Sequence, residues 1–145
     1  KNGNIVTNHE EYFLTMKKEG IAYAQEYERE ENYRKALYTY KQILKFAPDD
    51  PNILFVKGVT DLRMSAAYEA EKAIGASFPI LEQNYRNMDF KPDPISAPLL
   101  NEALLFYIDN LILNSYVDSA KNVTLSARVI FPLDEEIKRR LQELK

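Results

Sequence analysis

His9 is the only histidine in the chain and there is no cysteine, so any imidazole base would work without a thiolate and without a second histidine. A catalytic triad needs that base oriented by an acid and facing a serine, and no nucleophile-elbow motif is present. The reading of His9 is therefore a solvated residue at a helix start. Glu28, Glu30 and Glu31, and the run Asp134 to Glu136, are the densest carboxylates. Neither has the alternating oxygen ligands and central glycine of a calcium loop, and both read as solvated helix charges. Gly3 stands apart from any phosphate-cradling loop. Asn122-Val123-Thr124 spells a glycosylation acceptor but falls within a helical stretch. These residues predict no catalytic site, no metal and no cofactor, and hence no enzyme.

The elements that would position these residues are helical. At 145 residues, 46% hydrophobic and 28% charged, the chain suits one ordinary globular domain. A net charge of −3 with mixed signs argues against a nucleic-acid surface. The most apolar stretch, residues 97–117, contains Asn101, Glu102, Asp109, Asn110 and Asn114, too polar for a transmembrane segment. The start at Lys1 reads as that of a mature or excised segment, with a tether upstream as an open expectation. Absent cysteine and abundant Lys, Asn, Ile and Tyr lean toward an exported bacterial domain. No stretch alternates as a strand would, which predicts an all-α fold. Thr7 and Glu10 form a capping box that predicts a helix start near Asn8. Asp134 predicts another, with Ile137, Leu141 and Leu144 on one face.

A period organises these helices. Ala36 and Ala70 are 34 residues apart, and Ala70 and Ala120 are separated by that period lengthened by 16. Pro48 and Pro132 each follow their alanine by 12. Gly20 and Gly58 occupy one position of the first helix of their units, where Ile108 stands in the third. A 34-residue unit with a small residue, an aromatic and a closing proline implies paired helices. The chain resembles the tetratricopeptide repeat (TPR) family over about residues 13–145. The marks are Gly20, Tyr23, Ala36, Tyr40 and Pro48, then Leu54, Gly58 and Ala70, then Leu104, Ala120, Ala127 and Pro132. Glu82 departs from the usual proline, and Ile108 should widen the third pair. The resemblance implies a TPR-like α-solenoid of three antiparallel helix pairs, over about 13–50, 51–84 and 101–134. A cap at 135–145 completes a single domain, and a loop at about 82–97 is expected to project from, or fold over, the concave side. Tyr23, Tyr40 and Tyr68 are expected in the core.

The resemblance further implies a ligand face on the first helices. Lys17 and Ile21, with Leu14 and Ala24, would supply it from the first. Asn52, Phe55, Val59 and Leu62 would do so from the second, and Leu105, Asp109 and Ile112 from the third, beside Phe106. Lys17 matches one basic position of the family's carboxylate clamp, but Ile21, Val56, Glu102 and Phe106 stand at the others, so that clamp is not expected. The apolar set implies instead a scaffold binding a partner's helix or peptide. A small apolar ligand, or self-association into a homo-oligomer, is the alternative. Whether Phe55 and Leu105 are groove anchors or core stays open at this point, because the rotation of each helix is not fixed by spacing alone.

Overall fold

The computed structural model describes residues 2–87 and 93–144, with side chains from Glu11 onward except that of Tyr85. Among the described residues it is all-α, with seven helices and no strand. They are α1 (Asn2–Arg29), α2 (Tyr33–Phe46), α3 (Pro51–Arg63), α4 (Ala67–Tyr85), α5 (Ala97–Leu113), α6 (Val117–Ile130) and α7 (Glu135–Glu143). The first six form three hairpins, α1/α2, α3/α4 and α5/α6. Helix α2 packs on α3, α3 on α5, and α7 lies against α6.

The three hairpin turns share one geometry, and it falls on the repeat. Glu31, Ser65 and Ser115, each five residues before its alanine, are the three non-glycine residues with positive φ among the described residues, at 59°, 62° and 66°. In each turn the following amide reaches back to a carbonyl five residues earlier: Asn32 to Tyr27, Ala66 to Asp61 and Tyr116 to Leu111. This is the left-handed helix ending that satisfies orphan carbonyls and reverses the chain in two residues. Ala36, Ala70 and Ala120 are buried just beyond, where the second helix of each hairpin meets the first. Gly58 shows why that meeting needs a small residue. A Cβ there would lie 2.9 Å from Ile74 Cγ1 and 3.0 Å from Ala73 Cβ. At Gly20 the equivalent distance to Ile43 is 3.0 Å. Ile108, at the equivalent position of the third pair, is fully buried.

Asp50 and Asp134, each two residues past the repeat proline, open α3 and α7. Asp50 Oδ1 accepts from the Asn52 and Ile53 amides, and Asp134 Oδ1 from Ile137. The second repeat has Glu82 in place of that proline, and its helix does not stop there.

Several boundaries differ from expectation. Helix α1 already runs from Asn2, through the Thr7 capping box; no proline in residues 2–10 opposes it. It ends at Arg29, and Glu31 beyond it takes the left-handed turn. Helix α4 continues through Pro79 to Tyr85. Pro79 removes its own amide from the ladder and crowds the carbonyl one turn before it, a cost of about 3 kcal/mol that helix packing can offset. The segment between α4 and α5 is thus shorter than 82–97. Its end, Asp93 to Ser96, turns into α5, with Pro98 in the first turn, where a missing amide is harmless. Tyr40 is core, but Tyr23 and Tyr68 are exposed: their helix positions face away from the neighbouring pair.

Candidate functional site

The inner-face residues have other employment. Ile21, Phe55 and Val59 are core residues. Phe55 lies between two aromatic rings, with centroids 5.5 Å from Phe78 and 5.9 Å from Tyr107. Helix α3 meets α2, α4 and α5, so it has no broad face left for a partner. Leu62 and Leu105 are partly buried against the same core. Phe106 lies beneath the Arg63 guanidinium, 4.1 Å from its ring centre. Asp109 accepts two hydrogen bonds from Arg140, at 2.7 and 2.9 Å, which fasten α7 to α5. Asn52 is half-buried on the first turn of α3, and Ile112 is exposed at 37%. No continuous apolar trough joins these ten residues.

Lys17 is likewise committed. Its Nζ donates to Asp50 Oδ2 at 2.7 Å and to Asp93 Oδ2 at 3.0 Å. The end of the inserted segment is thereby drawn across α1 to the start of α3. Burial alone would lower the Lys17 pKa, but the hydrogen bonds to the two aspartates raise it above its ordinary value. Burial would raise Asp93, and the bond from Lys17 holds it below the usual carboxylate range. Met88 and Phe90, one of which should touch Phe55 or Leu62 if the inserted loop folds into the groove, lie outside the described residues.

A polar cluster joins the first two hairpins. The Thr60 hydroxyl lies 2.9 Å from Glu28 Oε1 and 3.0 Å from the Val56 carbonyl, with one hydrogen for two acceptors. Burial raises the Glu28 pKa against the opposing Thr60 bond and the Arg63 charge. A protonated Glu28 can donate to Thr60, leaving the hydroxyl hydrogen for Val56. The Tyr40 hydroxyl is buried in the same region, and burial followed by the Glu28 charge raises its pKa strongly. Among the described residues no group of three or more His, Cys, Asp or Glu side chains is placed for a metal ion. His9 sits on α1, with its side chain outside the described set. Asn122 is exposed on α6, and Thr124 is buried, its hydroxyl donating to the Ala120 carbonyl.

The open apolar concavity lies elsewhere, between α1 and α2. It encloses about 520 Å³, with Phe13, Met16, Gly20 and Tyr23 on one wall and Tyr38, Gln42 and Phe46 on the other. On α1 those positions recur every three or four residues and form one stripe, and α2 runs antiparallel beside it. Phe13 and Phe46 close one end edge-on, with ring centres 5.3 Å apart. Beyond the other end Lys35 Nζ stands 5.7 Å over the Tyr27 ring. From Phe13 to Tyr23 the groove follows α1 for about 15 Å, nearly three helical turns. Tyr23 is 63% exposed, Tyr38 65%, Leu14 55% and Phe46 46%. Of the ten residues read from sequence, only Lys17 borders this groove; Leu14, named beside them, also does. The missed signal was the excess of apolar side chains in the first unit, Tyr12, Leu14, Tyr23, Tyr38 and Phe46, beyond what one hairpin can bury.

The chain matches no family model, no curated protein and no solved structure. Among the described residues no helix is long and apolar enough to cross a membrane.

Proposed function

We propose that this protein is a non-enzymatic, TPR-like helical scaffold that binds a helix of a partner protein in the α1/α2 groove. The observation that carries the reading is an open apolar groove nearly three turns long, rimmed by Leu14, Tyr23, Tyr38 and Phe46. Full burial of each such side chain stabilises a complex by about 1.5–3 kcal/mol, and exposed apolar side chains gathered in one groove with a polar rim are the form an interaction surface takes. A helix is the occupant that the chain's own packing favours. The second hairpin receives α2 against α3 on its side toward the first hairpin, and the first hairpin has no such cover among the described residues. The shared turns at Glu31, Ser65 and Ser115 support the repeat reading on which this comparison rests.

The test is amide chemical-shift mapping with a panel of amphipathic helical peptides of about three turns. Peptides that bind should shift residues 13–23 and 38–47. Shifts centred on Leu62, Leu105 and Ile112 would return the site to the inner face. Binding of small apolar molecules, with no response to any peptide, would favour a ligand pocket.

A further inference from the structure

Helix α2 carries Arg34, Lys35, Lys41 and Lys45 and no acidic residue, in a chain whose net charge is −3. All four cations are exposed, and none has a salt-bridge partner among the described residues. Other cations pair across or along helices, at Lys17, Lys57, Arg139 and Arg140; Lys18, Lys72, Lys121 and Arg128 share the lack of a salt bridge among the described residues but are scattered singly over α1, α4 and α6. The position of the unpaired ones on α2 is specific. Successive residues of a helix turn by about 100°, which places Lys45, Arg34 and Lys41 along the solvent side of the line Tyr38–Gln42–Phe46. Lys35 continues that line by one turn toward Tyr27. The outward face of α2, next to the groove but not lining it, is therefore basic along its length. The α1 wall is mixed, with Lys18 exposed beside Glu19, which lines the groove.

We infer that the groove takes an amphipathic partner helix whose flank facing α2 is acidic, its apolar face seated on Phe13, Tyr23, Tyr38 and Phe46. The inference rests on the groove reading above and adds the partner's charge and its orientation. An apolar floor supplies affinity without choosing among helices, whereas a one-sided basic edge admits an acidic flank and opposes a basic one. Glutamates on that flank would sit opposite Lys41 and Lys45. A helix docked the other way round its axis would leave them unpaired.

The experiment is calorimetric titration of the intact chain with three synthetic helices that share one apolar face. The first carries glutamate on one flank, the second lysine on the same flank, and the third serine. The glutamate helix should bind about tenfold more tightly than the serine helix, and the lysine helix should bind most weakly. The glutamate advantage should vanish at about 0.5 M salt. The triple variant K41E/K45E/R34E should reverse the ranking with an unchanged melting temperature, since none of the three packs in the core. Equal affinity for all three helices overturns the charge inference and leaves the groove reading standing. Failure of all three to bind overturns both. If the chain binds anionic vesicles but no helix, the basic edge serves a lipid surface and the inference fails. Concentration-dependent self-association that K41E/K45E abolishes would likewise overturn it, assigning the edge to a second copy.

Discussion

Phe55 sets the terms at the scale of single residues. Spacing along α3 puts Phe55 and Val59 on one face, but it does not say whether that face is solvent or core. The structure answers through its neighbours, Phe78 and Tyr107. Phe55→Ala should destabilise the fold by about 3–5 kcal/mol, the ordinary cost of emptying an aromatic core site. Chemical denaturation checks it; a loss below 1 kcal/mol would place the ring in solvent after all. Glu28 makes a second prediction, with its sign fixed by its raised pKa. A carboxyl that binds its proton more tightly when folded contributes stability below its unfolded pKa, and that contribution is lost as pH rises through the folded pKa. Glu28→Gln keeps a neutral partner for Thr60 at every pH. The variant should therefore gain melting temperature over wild type at pH 7, and the gain should shrink toward pH 4. A gain that grows on acidification would contradict the assignment.

At the scale of elements, the sequence is legible wherever a local rule decides. The alanine period locates all three hairpins, and the aspartates after Pro48 and Pro132 locate the starts of α3 and α7. Legibility fails where packing overrides the local rule. Pro79 lies inside α4 because flanking turns hold the helix, and the Thr7 capping box is passed over because the preceding residues are equally able to be helical. The glycines separate the two kinds of position. Gly58 is a close approach, and a Cβ there meets Ile74 and Ala73; Gly58→Ala should cost about 1–3 kcal/mol through overpacking. Gly75, on α4, has nothing within 4 Å of a Cβ, so Gly75→Ala should stabilise by about 0.5–1 kcal/mol through helix propensity alone. Paired thermal melts of the two variants read both signs. The same sign for both would mean that α3 and α4 do not meet at Gly58.

At the scale of the molecule, the candidate site moved from the middle of the array to its first hairpin. Its inner face is consumed by ties that single residues could not announce. Lys17 reaches 33 residues to Asp50 and 76 to Asp93, and Asp109 reaches 31 to Arg140. The groove was hidden for a related reason. Tyr23 has the helical spacing of a core residue, yet it is exposed, with no further helix among the described residues covering the groove that it lines. The most direct measurement compares peptide affinity for two double variants, Tyr23→Ser/Tyr38→Ser in the groove and Leu62→Ser/Ile112→Ser on the inner face, each with its melting temperature. The groove variant should lose at least about tenfold in affinity while melting within a few degrees of wild type, and the inner-face variant should bind as wild type does. Loss of binding in the inner-face variant, with the groove variant unaffected, would contradict the account.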